Sequence, residues 1–513
     1  MKRLPAITFW RLVAAVILAA GLYATFVRFA YGLGASTNLS DGYPWGLWIG
    51  FDVLVGVGLA AGGFTLTAAV HIFNLERFHT IVRPTILTAF LGYLLVIVGL
   101  LFDLGLPWRV WHPIIMWNPH SVMFEVGWCV TLYTTVLALE FSPMVLERLR
   151  WHRPLRLIRA VTVPVVICGV LLSTLHQSSL GTLFIIVPNK LYGLWYSPLL
   201  PLLFFVSAIA GGLGMVILES AASARAFGRR LEQDLLQSLG RVIVVVLALY
   251  LAIKLQDMAA HSTFHLLLQP GIERFLFAVE FGFGAVVPMV LLAIPAVRRE
   301  AEGLVSAALL VVLGFVLGRM NVALTGTQRL MGSSYFPSWM EIAVTALLVV
   351  AGFIAFTLAV RYLNVFPEEH HHASPAMPVD PPCRAARYAA RGALVALGLT
   401  LLLGALTLGG DRQTAAPAAP VPPREALPEA SLPVDLTWPA GPNSPGAVVF
   451  SHGTHASVSP PNCVQCHPSR FSLLGQGKPR AGGEAMHGAE RCGACHNGTD
   501  AFSGDDCQSC HAP

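Results

Sequence analysis

Eleven apolar runs, each long enough to cross a bilayer as a helix, constrain this chain more than any other feature. They fall at residues 10–32, 47–73, 84–106, 119–142, 160–180, 198–220, 242–264, 275–297, 303–323, 339–363 and 391–409. The hydrocarbon core offers no water to bond an exposed peptide group. A spanning segment must therefore be a helix or part of a closed barrel, and runs of this length select helices. Composition agrees: 55% of residues are hydrophobic, only 12% are charged, and mean hydropathy is +0.65. That is the profile of a polytopic membrane protein, with no nucleic-acid partner expected. The first run begins with basic residues, as a secretion signal does, but its length and the spans that follow make it an anchor. The ninth run is short and the fifth contains Pro164, so these two are the least regular.

Lys and Arg set the orientation. With the N-terminus inside, the inner segments carry twenty of them, while the outer segments carry only Arg28, Arg109, Lys190, Arg274 and Arg329. Positive side chains accumulate on the cytoplasmic side, so the chain reads as N-inside. An odd number of spans then places the C-terminus outside, in the periplasm of a bacterium.

What lies there is legible from cysteine spacing. Three copies of C-x-x-C-H occur in the last fifty-one residues: Cys463-Val464-Gln465-Cys466-His467, Cys492-Gly493-Ala494-Cys495-His496 and Cys507-Gln508-Ser509-Cys510-His511. In each, two thiols can bond a porphyrin and the following His can take one axial position on iron, the chemistry of c-type haem. A second axial ligand per haem is also available, because His452, His455 and His487 are the remaining histidines of this tail. Zinc would not require a His directly after each second Cys, and disulfides would require none. Three covalently bound haems c are therefore expected.

The run Val449-Phe450-Ser451-His452-Gly453-Thr454-His455 before the first motif, with Met486-His487-Gly488 before the second, resembles the triheme form of class III multihaem cytochromes c over residues 447–513. The resemblance implies three axial pairs: His452 with His467, His455 with His496, and His487 with His511. Bis-His ligation lacks the Met that raises haem potential, so low potentials are expected. The expected fold class is thus an all-α polytopic membrane protein of about 11 transmembrane helices with a small C-terminal multihaem cytochrome c domain. Between them, residues 364–390 form a cytoplasmic loop containing His370-His371-His372, 391–409 the eleventh span, and 410–446 a linker rich in Pro and Ala that favours extended conformations.

Residues 1–363 carry a second resemblance. Gly42-Tyr43-Pro44-Trp45-Gly46-Leu47-Trp48-Ile49-Gly50-Phe51-Asp52, then Leu101-Phe102-Asp103-Leu104-Gly105, His120-Ser121, Phe124-Glu125-Val126-Gly127-Trp128 and Leu139-Glu140-Phe141, are similar to the NrfD-type membrane subunits of polysulphide reductases and periplasmic hydrogenases, closest to the hydrogenase branch. The resemblance implies a ten-helix bundle without membrane haem that exchanges electrons with menaquinone or another quinone near the outer face. It also implies a periplasmic iron–sulphur (ferredoxin-like) partner and a catalytic subunit of hydrogenase or molybdopterin type. The added eleventh span and the cytochrome tail depart from that family.

Ionisable side chains inside spans are expensive to bury and mark functional or paired positions. Toward the outer ends lie Asp52, Asp103, His120, Glu125, His176, Lys254, Asp257, His261, Glu280 and Arg319, and toward the inner side His71, Glu140 and Glu219. Quinone chemistry needs hydrogen-bond donors at two carbonyls and groups that exchange protons. Asp103, His120, Glu125, His71, Glu140 and His176 are the candidates for that work. Lys254 and Asp257, one turn apart, read as a local ion pair. Two other readings compete. In one, the bundle is an anchor or proton-conducting unit and the haems do all redox work. In the other, membrane histidines bind b-type haem; only His71, His120, His176 and His261 lie near usable depths, no two on one helix.

Overall fold

The computed structural model describes residues 9–40, 43–186, 191–331, 335–366, 384–410, 435–438, 444–456, 492–499, 501–503 and 506–512. Cys463, Cys466, His467 and His487, the His370–His372 run, and most of the two irregular stretches 364–390 and 410–446 lie outside the described residues. The chain divides into two units, Met1–Arg412 and Gln413–Pro513.

Ten helices of the first unit are long and apolar enough to cross a membrane. They are α1 (Phe9–Tyr31), α2 (Trp48–His71), α3 (Glu76–Asp103), α4 (Val122–Leu149), α5 (Thr162–Leu183), α6 (Leu200–Phe227), α7 (Gln233–Ala260), α8 (Ile272–Ala293), α9 (Ala301–Leu330) and α10 (Trp339–Tyr362). The eleventh apolar run lies in a further helix, α11 (Arg384–Gly410), which rests against α8 and α9. Helices α2 to α5 pack on one another, as do α6 to α9, and the two groups meet where α2 contacts α6 and α9 and where α5 packs along α6. Helices α1 and α10 pair and lean on α3.

Small residues make these crossings possible. A Cβ added at Gly212 on α6 would lie 2.3 Å from the Gly62 nitrogen of α2, so the two backbones touch where no other residue fits. Gly284 on α8 and Gly314 on α9 form a second such contact, with a Cβ on Gly314 only 2.1 Å from the Gly284 Cα.

The ninth span is longer than its hydropathy indicates, thirty residues instead of twenty-one. Arg319, Asn321 and Thr327, which break the apolar run, are buried and hydrogen-bonded inside the bundle, so the helix continues through them. Three helices also widen locally into π-helical turns, at Trp48–Val55, Gly282–Val286 and Asn321–Thr325. Such turns release backbone groups from the regular ladder and recur at functional sites. Each of these includes or adjoins a buried polar residue: Asp52, Glu280 or Arg319. Helix α10 starts with a capping box, Ser338 and Glu341 satisfying each other's backbone N–H.

In the second unit the described residues form a three-stranded antiparallel sheet in the order β1 (Leu436–Trp438), β2 (Ala447–Phe450), β3 (His511–Ala512). Leu436 pairs with Phe450, and Val448 with His511. Strand β2 runs directly into the helical turn His452–Ala456. Leu436–Trp438 thus folds back on β2 as an edge strand of this sheet.

Candidate functional site

The helices alternate in direction, so the end of α1 that bears Arg28 is shared by the starts of α2, α4, α6, α8 and α10 and the ends of α3, α5, α7 and α9. Three polar clusters lie toward that end.

The first ties α1, α2, α3 and α10 together. Arg28, 2% exposed, donates from Nε to the Phe102 carbonyl and from Nη2 to the Leu104 carbonyl, both at 2.6 Å. Its guanidinium thereby closes the end of α3, where Asp103 keeps one carboxylate oxygen buried without a partner. Asp52 is buried and accepts from the Thr345 hydroxyl at 2.8 Å. Glu341 is fully buried and accepts from the Tyr335 hydroxyl and from the Asn38 and Ser338 backbone N–H groups. The Tyr43 and Tyr335 rings stack with centroids 4.9 Å apart. Tyr43 donates to the Leu324 carbonyl at 2.9 Å, and burial pushes its hydroxyl up to about 12, so it remains a neutral donor. Every donor of this cluster is matched to a nearby acceptor, which makes it a structural knot.

The second cluster lies between α3, α4 and α5. The His176 ring is completely buried, and its Nδ1 shares a 3.0 Å hydrogen bond with the Tyr93 hydroxyl. Tyr93 in turn meets Tyr133 edge-to-face, centroids 4.7 Å apart. Among the described residues, His176 Nε2, Tyr133 Oη, Ser173 Oγ and Gln177 Oε1 form no well-aligned hydrogen bond, and the Tyr133 and Ser173 hydroxyls are neighbours. The other end of the Gln177 amide donates to the Val57 carbonyl of α2 at 3.1 Å. One turn toward the Arg28 end, Ser179 donates to Glu125 at 2.5 Å. On the far side, Glu140 and Tyr133 both come within 3.7 Å of the space a Cβ on Gly169 would fill. Four unmet hydrogen-bonding groups in one apolar neighbourhood are costly unless water or a ligand completes them.

The third cluster lines a cavity among α6, α7, α8 and α9, with about 650 Å³ of non-atom space including its mouth. Lys254, Glu280, Arg319 and Tyr250 project into it among Phe204, Phe315 and several small residues. Glu280 Oε2 accepts from Trp195 Nε1 at 2.9 Å and from Asn321 Nδ2 at 2.7 Å. Lys254 donates to the Leu194 carbonyl at 2.8 Å. Arg319 donates to the Phe204 carbonyl at 2.8 Å, and its guanidinium lies 3.5 Å from the Phe204 ring centroid. The expected pair of Lys254 with Asp257 is not formed. Lys254 turns to a backbone carbonyl, and Asp257 lies 3.1 Å from His261 Nδ1.

The sequence candidates thus separate. His176, Glu125 and Glu140 belong to the second cluster, and Asp103 to the first. His71 ends α2 at the opposite end of the bundle, half-buried. His120 is exposed just before α4, with no polar partner among the described residues. Tyr93, Tyr133, Ser173 and Gln177 were not legible as site residues, since an uncharged polar side chain inside a span reads as packing.

In the cytochrome unit, the pairs Cys492/Cys495 and Cys507/Cys510 each lie on a short helical turn followed by their His, His496 or His511. The rings of His455 and His496, forty-one residues apart, lie with centroids 6.2 Å apart. Two imidazoles bound at about 2 Å on opposite sides of one metal place their centroids roughly that far apart, so the donor set and spacing fit an axial pair.

Residues 35–331 match the family "Polysulphide reductase, NrfD", and residues 448–512 match "Cytochrome c7 and related cytochrome c". A protein of Nitratidesulfovibrio vulgaris is 41% identical, covering 68% of this chain and 94% of its own length. The probable Ni/Fe-hydrogenase 2 b-type cytochrome subunit of Escherichia coli is 33% identical, over 66% of this chain and 88% of its own length. The menaquinone reductase integral membrane subunit of N. vulgaris is 29% identical, over 70% and 92%.

Proposed function

The chain belongs to the NrfD polysulphide reductase family and ends in a cytochrome c7-like unit, and from that premise we propose that it exchanges electrons between a membrane quinone and carriers outside the membrane. The quinone is menaquinone or a close analogue. Its head group sits between α3, α4 and α5, where His176 Nε2, Tyr133, Ser173 and Gln177 present unmet hydrogen-bonding groups. That convergence is the observation that carries the reading. Tyr93 holds the His176 ring through Nδ1 and leaves Nε2 for a quinone oxygen. Glu125, nearer the Arg28 end, and Glu140, on the other side of Tyr133, are the groups placed to exchange protons with it. Asp103, His120 and His71 are then outside the head-group site.

Three haems c on Cys463/Cys466, Cys492/Cys495 and Cys507/Cys510 would supply one-electron transfer when bound. His452 with His467, His455 with His496, and His487 with His511 would hold the irons. The facing rings of His455 and His496 support the second of these pairs. The Arg28 end faces the periplasm of a bacterial inner membrane, and α11 carries the haem unit to that side. An iron–sulphur partner connects quinone and haems within a respiratory complex that includes a hydrogenase-like or molybdopterin-type catalytic subunit.

Quinone-analogue binding to the full chain in nanodiscs tests this. Tyr133→Phe and His176→Gln should each weaken binding at least about tenfold, the loss of one or more good hydrogen bonds, with haem content unchanged. Unaltered affinity in both would sink the assignment. The cavity around Lys254, Glu280 and Arg319 favours a second reading, a proton-conducting role for the other half. Proton flux in proteoliposomes that vanishes in Glu280→Gln while quinone binding stays intact would support it.

A further inference from the structure

We propose that Ser444 and Gly446 are positioning residues for His511, and that they lower the potential of the haem it serves. The inference rests on the haem reading of the Cys507–His511 motif. His511 sits in β3 opposite Val448, two residues after Gly446. Its Nδ1 lies 2.9 Å from the Gly446 carbonyl oxygen and 3.3 Å from Ser444 Oγ. The Ser444 hydroxyl also donates to that carbonyl at 2.7 Å, and the Gly446 N–H returns to Ser444 Oγ at 3.4 Å. A carbonyl oxygen can only accept, so Nδ1 must carry the ring proton. The tautomer is thereby fixed, and the Nε2 lone pair is the one left for iron.

The other described ligands are held differently. His455 also donates from Nδ1, to the Ser451 carbonyl at 2.9 Å, but that ring is exposed. His452 and His496 each keep Nδ1 buried with no partner among the described residues. An imidazole whose distal N–H is hydrogen-bonded is the stronger electron donor; it favours ferric iron and lowers the potential. The haem on Cys507 and Cys510 should therefore be harder to reduce than it would be without this clamp. Ser444 and Gly446 precede the segment 448–512 that matches the cytochrome family. They lie in the stretch joining β1 to β2, so this clamp is supplied by the chain that leads into the domain.

The test uses the full-length protein with its haems attached. A spectroelectrochemical titration of Ser444→Ala should show one component moving upward while the other two stay. Low-spin EPR should show one altered signal of three. Ser444→Thr, which keeps the hydroxyl, should restore both. Unchanged potentials and spectra with three covalent haems per chain would overturn the proposal. A motif that never carries haem would instead overturn the haem reading beneath it. If Ser444→Ala loses haem, the unmodified protein still decides. The His511 Nδ1 proton should exchange slowly by nitrogen-edited NMR, and exchange as fast as that of a solvent-exposed imidazole would overturn the proposal.

Discussion

Replacing Glu280 by Gln probes the most concentrated buried charge in the bundle. Glu280 is 8% exposed and receives two hydrogen bonds on one oxygen, from Trp195 and Asn321. Charge-assisted bonds contribute about 1.5–3 kcal/mol and neutral ones about 0.5–1.5, so neutralising the acceptor should cost about 2 kcal/mol for the pair. Lys254 and Arg319 then share the cavity with no carboxylate lining it. Leaving a buried charge uncompensated brings the total to about 3–5 kcal/mol. Glu280→Ala should be worse still, because Trp195 Nε1 and Asn321 Nδ2 lose their acceptor altogether. SDS titration of the protein in mixed micelles, followed by circular dichroism, measures the change. Lys254→Met combined with Glu280→Gln should cost less than the two singles added, by at least about 1 kcal/mol. A Glu280→Gln protein within about 0.5 kcal/mol of the original, or strictly additive singles, would refute the claim that these charges stabilise one another.

Other substitutions test separate parts of the structure. Gly212→Val should abolish recovery of monodisperse protein, since even its Cβ would fall 2.3 Å from the Gly62 nitrogen. Gly105→Ala, with nothing within 4 Å, should be neutral in the same size-exclusion assay. Replacing Cys507 and Cys510 by Ala should reduce the pyridine haemochrome absorbance per chain to about two thirds, one haem of three, without affecting membrane insertion. Tyr43 should make stability fall at high pH. Its folded hydroxyl is raised from the ordinary 10.0 to about 12, so its contribution is complete below pH 10 and disappears as pH climbs to about 12. Tyr43→Phe should flatten that part of an alkaline melting profile.

The bundle was legible because hydropathy reports helices directly, and α1 to α11 each coincide with an apolar run. Boundaries failed where polar residues are satisfied internally. The ninth run ends at residue 323 by hydropathy, yet the Arg319 guanidinium packs on Phe204 and the helix continues seven residues further. Ionisable residues such as His176, Glu125 and Glu280 could be nominated from their cost in lipid. That signal could not group them, because Asp103 on α3 and His176 on α5 fall in separate clusters only once the helices pack. Nor could it find Tyr93 and Tyr133, whose aromatic rings read as core. In the tail, C-x-x-C-H spacing nominates the ligands directly, because each motif carries its own thiols and His. The contribution of Ser444 was hidden because a Ser-Pro-Gly turn beside a Pro-rich stretch reads as linker.

The two halves of the bundle treat buried polarity in opposite ways, and the contrast bears on which of them takes the quinone. Around Glu280 the groups are charged but largely answered: two donors on the carboxylate, and a backbone carbonyl for each cation. Only Arg319 Nε stays unpartnered there. Around His176 the groups are mostly neutral, yet four of them are unanswered. Compensated charges in a membrane interior cost little further and give a neutral carbonyl compound no strong reason to enter. His176 Nε2, Tyr133 and Ser173 can each donate to the carbonyl oxygens of such a compound, and Gln177 Oε1 can accept from a hydroxyl of its reduced form, with nothing lost to charge desolvation when it arrives. A quinone should therefore settle on the α3–α5 side, and Glu280→Gln, however damaging to stability, should leave the affinity of the folded fraction for a quinone analogue unchanged.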